Sequence, residues 1–273
     1  LLKLPSSIPA SSSSSSPAAA AALVGEVVAV GADGGCDVRL FAAEGSAEAS
    51  DTTTVPLKGQ AFCFLPLPAE TGLPIHANGY FELSANRRDI WYGTDMMGAG
   101  RLRSDWNCAL LVDVVAPSYA QLLLNARTCA PTTRQFYELW PQQRMAEPWG
   151  LLVDTLYRAL LEQPVLHSDA NGGCWVSPLE AIFTDVSSEA GSAMHAALLR
   201  GGMPLVDAPR PIFELLQAAA LAANVKLRTA DPATVRRWLL ESPGRQAKLS
   251  RDEGVELLRH CVSDVGSAPL EWS

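Results

Sequence analysis

The order of its local patterns constrains the fold of this chain more than any other feature of the sequence. From Leu23 to about residue 84, short apolar runs alternate with turn residues. Beyond residue 130, most segments carry a proline, glycine or capping residue that marks a helix end. Strand and helix do not alternate regularly, which argues against a parallel βαβ sheet. We therefore predict an α+β chain: a β-rich N-terminal part, with hairpins and a small sheet packed by a helix, precedes a mainly α-helical C-terminal part.

The strands of the N-terminal part can be placed from turn residues and alternation. Two β-rich runs surround Asp33-Gly34, a dipeptide typical of hairpin turns. Residues 61–66 and about 74–84 predict two paired strands, antiparallel if the intervening AETG forms a tight turn. Alternation with period two places four side chains in the core: Phe62, Phe64, Phe81 and Leu83. A glycine-rich loop, GTDMMGAGRLRSD, is expected before an apolar helical stretch in which Pro117 causes a kink or a new start.

Helix ends in the C-terminal part are predicted from capping chemistry. The Ser-Pro-Leu-Glu sequence at Ser177 has the spacing of a capping box with proline in the first helical position, and Ser250 with Glu253 repeats that spacing. Gly201-Gly202 is expected to end a helix over residues 189–200. Three further helices are expected to start at prolines: Pro148, Pro211 and Pro232. Short strands are expected only at PVLHS and GCWVS.

Changes in composition suggest three regions. Residues 1–22 are rich in serine, alanine and proline, and we predict a disordered linker there because such a stretch buries too little apolar surface to offset the entropy of ordering. Residues 23–125 are predicted to form an α+β domain and residues 126–273 a mainly helical one. Residues 43–55 are expected, like residues 5–22, to be among the least ordered.

Composition and cysteine spacing argue against several classes of function. The formal net charge of −8 argues against nucleic-acid binding, which requires a face rich in Lys and Arg. No run is expected to span a membrane. Six cysteines lie far apart with no CxxC pair, so we expect reduced thiols in a reducing, cytoplasmic compartment and no metal site.

The usual catalytic motifs are missing from the sequence. No phosphate-binding loop, nucleophile elbow, HExxH helix or dinucleotide fingerprint is present, and the glycine-rich GADGG and GTDMMGAG are sufficiently explained as turns. Triads are recognised by geometry rather than by spacing, so a site assembled only in three dimensions stays open.

The middle of the chain resembles a known family. The order of FCFLPLP, TGLPIHANGYFELSANRRDIWYG and WNCALLVDVVAP resembles the internal repeat of the sacsin family, in particular its plant and algal sacsin-like members. Later segments agree in order: EPWGLLVDTLYRALLEQPVLHS, GGCWVSPLEAIF, GGMPLVDAP and SRDEGVELLRHCVSDV. The resemblance covers about residues 55–265. The serine-rich start of the chain has no counterpart in that repeat.

The resemblance implies a role in chaperone systems. Such repeats begin with an ATP-binding module of the GHKL class, similar to that of the ninety-kilodalton heat-shock chaperones. This chain lacks the Glu/Asn helix and the DxGxG motif of that module, so it is expected to begin where the module ends. ATP and Mg²⁺ are then expected in the upstream module and no cofactor here. The expected partners are the upstream module in cis, the heat-shock chaperone machinery and client proteins.

The resemblance also draws attention to Arg87 and Arg88. In the heat-shock chaperones, an arginine in a Ser-Arg-Glu turn after the nucleotide domain reaches the γ-phosphate of ATP. Aligning the acidic residue of LSANRRDIW places Arg88 at that position with Arg87 beside it. A guanidinium suits phosphate sensing because it stays charged and is planar. We expect Arg88 to be the more exposed of the two.

A structural role is the alternative for these two arginines. They would then be mostly buried, paired with Asp89 or Asp95, or stacked on Trp91 or Tyr92. Six of the seven tryptophans, at positions 91, 106, 140, 149, 175 and 238, are expected in the core; the alternative is that some form a groove for clients or partners.

Two hypotheses of function follow. The first is a non-catalytic segment of a sacsin-like chaperone or co-chaperone, which couples an upstream ATP-binding module to client or partner contacts in protein quality control. The second is a nucleotide-binding or ATPase fragment with a site of its own. The first predicts that the chain alone hydrolyses no ATP.

Overall fold

The structure is a computed structural model that describes most of the chain beyond residue 58. The described residues are 23–29, 36–42, 59–93, 97–130, 132–184, 193–241 and 249–264, the first two ranges as backbone only. The predictions of disorder for residues 1–22 and 43–55 fall outside these ranges. Within them, the chain is α+β, with sheet in the N-terminal part and mostly helix in the C-terminal part, as predicted.

One five-stranded sheet forms the β-rich part, in the order β2-β1-β5-β3-β4. The hairpin predicted around Asp33-Gly34 is confirmed by the antiparallel pairing of its two strands, with Val27 opposite Val38. The sheet's strands are β1 (Leu23–Ala29), β2 (Cys36–Ala42), β3 (Gln60–Cys63), β4 (Leu65–Glu70) and β5 (Ile75–Asn78). Pro66 and Pro68 lie on β4, at the outer edge of the sheet, where a missing amide hydrogen is tolerated.

The pairing predicted for residues 61–66 with 74–84 is confirmed in place, but the strands are parallel. Ala61 lies opposite Ala77 in a parallel register, because β4 runs back along β3 before the chain turns into β5. The predicted side-chain alternation also fails on β3, where Ala61 is buried and Phe62 is only half-buried. It fails again at Phe64, which has a positive φ of 61° between β3 and β4 and is 74% exposed. Phe81 is buried as predicted, and Leu83 packs against the core.

A continuous helical segment over Ala99–Cys129 follows the sheet and lies against β1 and β2. It consists of α1 (Ala99–Ala109), a π-helical segment (Leu110–Val115) and α2 (Ala116–Cys129). The expected glycine-rich loop is therefore wrong from Ala99 onward. Pro117 lies in the first turn of α2, directly after the wider π turns, where its missing amide hydrogen is accommodated.

By length and composition this helical segment could cross a membrane, contrary to our expectation that no run is long and apolar enough. Its burial points to a different role, because 56% of its most apolar window is covered by the rest of the fold. A helix buried in the core of a globular domain is also apolar, because its side chains pack against the surrounding elements instead of facing water.

The helices of the C-terminal part begin and end close to most of the positions predicted for them. They are α3 (Thr133–Glu138), α4 (Trp149–Leu160), α5 (Ala193–Arg200), α6 (Arg210–Ala222), α7 (Pro232–Glu241) and α8 (Arg251–Val262). Gly202, with a φ of 85°, follows α5 as expected of a helix-ending glycine. The capping box at Ser250 is fully formed: its hydroxyl accepts from the Glu253 amide, and the Glu253 carboxylate accepts from the Ser250 amide.

The helix predicted at Ser177 is wrong, although its capping hydrogen bonds form. The Glu180 amide donates to the Ser177 hydroxyl at 3.3 Å, and the Glu180 carboxylate accepts from the Ser177 amide at 3.2 Å. The chain then leaves the turn as a strand, because Ile182 and Phe183 are buried in a parallel sheet. Tertiary burial thus overrides a local helix-start pattern.

Two small sheets complete the described fold. The predicted strands PVLHS and GCWVS are confirmed as the antiparallel pair β6 (Leu166–Ser168) and β7 (Cys174–Val176). A second, parallel sheet was not predicted and has the order β10-β8-β9. Its strands are two residues each: β8 (Ile182–Phe183), β9 (Leu205–Val206) and β10 (Arg228–Thr229). These runs are too short for an alternation pattern to reveal them.

Two clusters of buried apolar side chains hold the described fold together. The larger extends from Ala61 to Leu227 in sequence and includes residues on both sides of position 125, so the proposed division at 125 stays a prediction. Trp140 and Trp149 belong to it, as expected. The smaller cluster lies around β8, β9, α5, α7 and α8. Both clusters exclude water from the faces of the helices that pack on the sheets.

Candidate functional site

The candidate arginines lie on a short loop between two paired chain segments. Leu83 and Ile90 form an antiparallel bridge that closes the loop over residues 84–89. Inside it, the Arg87 amide donates to the Ser84 carbonyl at 2.8 Å and the Arg88 amide donates to Asn86 Oδ1 at 3.1 Å. Backbone and short polar side chains therefore fix the shape of the loop without using either guanidinium.

Both Arg87 and Arg88 are exposed on this loop. Among the described residues, no hydrogen bond, ion pair or cation–π contact involves the guanidinium of either one. The Asp89 carboxylate accepts instead from the Ile90 amide at 2.8 Å. Asp95, the other carboxylate expected to pair with them, lies outside the described residues.

Backbone strain accompanies this presentation of the arginines. Arg87 has a φ of 53°, in the left-handed region that non-glycine residues adopt at some energetic cost.

The ring of Trp91, which was expected to stack on Arg87 or Arg88, has the guanidinium of Arg103 5.8 Å from its centroid. The loop thus places two adjacent positive charges at the surface while a third arginine covers the nearby aromatic ring.

Asn107 on α1 holds the two ends of the loop together. Its Nδ2 donates to the carbonyl of Glu82 at 2.8 Å and to that of Trp91 at 2.9 Å, and its Oδ1 accepts from the Glu82 amide at 2.9 Å. The side chain is fully buried. Because one amide group contacts the segments before and after the loop, it fixes their separation and hence the position of both arginines.

Two further side chains of α1 hold the segments around the loop against this helix by hydrogen bonds to backbone carbonyls. The Ser104 hydroxyl donates to the Gly93 carbonyl at 3.2 Å, and Trp106 Nε1 donates to the Tyr80 carbonyl at 2.9 Å. Sequence reasoning missed Ser104 and Asn107. The available signal was the spacing of two polar residues three positions apart, which places them on the same face of a helix whose other residues are exposed or half-buried.

An exposed aromatic surface lies beside this attachment. We call it the Tyr80–Trp106 surface, and it comprises five side chains: Phe64, Leu65, Tyr80, Leu102 and Trp106. All five are at least 50% exposed. The Phe64 and Tyr80 rings meet edge to face with centroids 5.0 Å apart, and Leu102 lies one helical turn before Trp106. Trp106 is therefore not the core anchor that was expected, and it favours the groove alternative.

The described titratable and charged groups around the loop differ in the chemistry that they offer. Burial is the main cause that raises the pKa of the Cys108 thiol, and the negative charge of the nearby Asp105 carboxylate raises it further. Burial also raises the pKa of the Tyr92 hydroxyl. Both groups are therefore protonated at neutral pH and poor nucleophiles. Among the described residues, no three His, Cys, Asp or Glu side chains lie close enough to hold a metal ion. The guanidinium groups of Arg87 and Arg88, which no partner among the described residues engages, in contrast suit an anion such as a phosphate.

Comparisons with known proteins place the chain among sacsin relatives. It is 32% identical to human sacsin over 242 residues, which cover 82% of this chain and 5% of sacsin. No protein-family model matches the chain. No solved structure matches it. The chain is therefore sacsin-like, homologous over most of its length to about one-twentieth of sacsin.

Proposed function

We propose that this chain is a non-catalytic coupling segment of a sacsin-like chaperone or co-chaperone. In this proposal, an upstream ATP-binding module of the GHKL class holds ATP and Mg²⁺, and the chain itself holds no cofactor. Arg88, with Arg87 beside it, senses the terminal phosphate across the contact between the two. The chain in turn contacts clients or heat-shock chaperone partners in the cytoplasm, as part of protein quality control.

The observation that carries the proposal is the presentation of the two arginines. A sensing arginine must be able to meet a phosphate held by another module, so it cannot be committed to a buried carboxylate. Arg87 and Arg88 are exposed, and no contact among the described residues engages their guanidinium groups. The loop is nevertheless well positioned, because Asn107 fastens both of its ends. Phosphate recognition requires a charge that is held in position and is not engaged by another group, and among the described residues these two arginines meet that requirement.

The Tyr80–Trp106 surface supports the contact with clients or partners. Exposed apolar patches on soluble proteins mark interaction sites, and aromatic residues contribute strongly to such contacts. This surface is fastened to the same helix as the arginine loop, through Trp106. A change in the position of α1 on phosphate binding would therefore reach both features.

The proposal is tested in the longer protein that includes the upstream module. Replacing Arg88 by Ala should lower ATP turnover by about tenfold or more, since arginines that stabilise charge in phosphoryl transfer supply such factors. Arg134→Ala is the matched control, because Arg134 is also exposed and its only described ion pair is with Glu138. Unchanged turnover in a folded Arg87→Ala, Arg88→Ala double variant would contradict phosphate sensing.

A second measurement separates the proposal from a nucleotide site within this chain. ATP is titrated into the chain alone, with and without Mg²⁺, by isothermal titration calorimetry. The coupling proposal expects no tight binding and no turnover above a buffer control. Tight magnesium-dependent binding, with hydrolysis that disappears when an acidic residue of the chain is replaced, would instead assign the chain a catalytic site of its own.

A further inference from the structure

A cavity of about 550 Å³ lies far along the chain from the arginine loop, at the three-stranded parallel sheet. Thr184 follows β8, and Thr229 to Asp231 end and follow β10, so the carboxyl ends of these two strands meet at the cavity. Helices α5, α6 and α8 supply most of the remaining wall. Ligands of α/β folds commonly bind outside the carboxyl ends of parallel strands, where loops diverge.

The cavity has an apolar wall and a polar edge. Its apolar lining includes the buried Leu198 and Leu205 together with Met194 and Phe213. The polar lining consists of seven side chains: Thr184, His195, Gln217, Thr229, Asp231, His260 and Ser263. A volume of this size accommodates a small organic molecule with an apolar body.

Two of these polar side chains, His260 and Asp231, keep acceptor sites after their described hydrogen bonds are made. His260 Nε2 lies 3.0 Å from the Ala230 carbonyl oxygen, and a carbonyl only accepts, so Nε2 carries the proton. In the neutral ring, Nδ1 is then an acceptor. The Asp231 carboxylate accepts from the Thr234 amide at 2.7 Å and from the Thr229 hydroxyl at 3.3 Å, which leaves further lone pairs on both oxygens.

The fixed charge at this edge is negative. Burial acts to raise the pKa of Asp231, but the hydrogen bonds from Thr234 and Thr229 and the charge of Lys226 outweigh it, so the pKa is lowered and the group is ionised at neutral pH. No Lys or Arg side chain is among the described residues that line the cavity. The Asp231 carboxylate would therefore repel an anionic ligand, which would find no cationic side chain in the described lining to contact, whereas an ammonium group would gain a charge-assisted hydrogen bond.

We propose that this cavity binds a small organic amine, with its apolar body against Leu198, Leu205 and Phe213 and its ammonium group at the Asp231 carboxylate. The inference is independent of the phosphate-sensing proposal, since it involves none of the residues around the arginine loop. It assigns the C-terminal part of the chain a ligand-binding role of its own.

Three phenyl compounds of similar size test the charge of the ligand. They are 2-phenylethylamine, which is a cation at pH 7.5, 2-phenylethanol, which is neutral, and 3-phenylpropionate, which is an anion. Their dissociation constants are measured with the whole chain by ligand-observed NMR titration. The amine should bind at least about fivefold more tightly than the alcohol, and the carboxylate should bind most weakly. Absence of saturable amine binding, or equal affinities for amine and carboxylate, overturns the proposal.

The Asp231→Asn variant tests the place of binding. Asparagine caps helices as well as aspartate does, so the hydrogen bond to the Thr234 amide and the start of α7 are retained while the charge is lost. Amine affinity should fall to about that of the alcohol, and alcohol affinity should not change. Asp113→Asn, at an exposed position outside the cavity lining, is the matched control and should leave all three affinities unchanged. An amine affinity unaffected by Asp231→Asn refutes the assignment.

Discussion

Replacing Asn107 by Ala tests whether one buried amide positions the arginine loop. The substitution removes three hydrogen bonds of 2.8–2.9 Å, two to carbonyls and one from an amide, from a side chain with no solvent exposure. A typical intramolecular hydrogen bond contributes about 1 kcal/mol net, and buried groups left without a partner raise the loss further. We therefore expect the free energy of unfolding to fall by about 3 kcal/mol.

The measurement is urea unfolding of the whole chain, followed by far-UV circular dichroism. Asn125→Ala is the matched control, because Asn125 is exposed and its side chain has one described hydrogen-bond partner in a neighbouring side chain, Gln121 at 3.0 Å. That change should cost no more than about 0.5 kcal/mol, as surface substitutions generally do. Backbone amides at Glu82 and Trp91 should also exchange faster in the Asn107 variant. A loss below about 1 kcal/mol, or equal losses in the two variants, would refute the positioning role.

Three other substitutions or measurements test separate parts of the fold. Gly59→Ala should destabilise the protein by more than about 3 kcal/mol, because its Cβ would lie 1.9 Å from a carbonyl oxygen of β5; the control Gly254→Ala, in open space on α8, should stabilise it by about 0.5–1 kcal/mol. Equal urea midpoints would contradict this contrast. In thiol labelling, the exposed Cys129 should react well before Cys261, which is buried and whose pKa is raised by desolvation; the reverse order in mass spectrometry would be inconsistent with the fold. Hydrogen bonds from the capping box and then from Arg200 lower the pKa of Glu253, so its contribution is present above the unfolded pKa of about 4.3 and is lost as the pH falls through the folded value. Stability should decline between about pH 5 and pH 3, and less steeply in Glu253→Gln; identical slopes would disprove the linkage.

Local chemistry explains which elements could be predicted from the sequence. The hairpin around Asp33-Gly34, the helix after Ser250 and the helix end at Gly201-Gly202 depend on residues within a few positions of one another. Their hydrogen bonds form between neighbours along the chain, so the sequence contains the whole interaction. Arg87 and Arg88 were likewise found from adjacent residues, and their exposure is consistent with the role proposed for them.

The errors occur where distant parts of the chain decide the outcome. The pattern at Ser177 forms its capping bonds yet leads to β8, because burial of Ile182 beside β9 and β10 outweighs helix propensity. The direction of β5 relative to β3 depends on where β4 lies, which the sequence of the connection does not specify. Asn107 was missed because its partners are 16 and 25 positions away along the chain.

The position of β5 in its sheet has a consequence for how the chain is assembled. This strand lies between β1 and β3, in parallel with both, yet it follows all four other strands in the sequence. During synthesis, the hairpins β1–β2 and β3–β4 can form from local contacts as soon as they emerge, but neither can join the other until Ile75–Asn78 is available. Until then, β1 and β3 each have an unpaired edge that can form hydrogen bonds with a strand of another chain. A nascent chain halted before residue 75 therefore carries two aggregation-prone hairpins, and the four residues of β5 protect both at once.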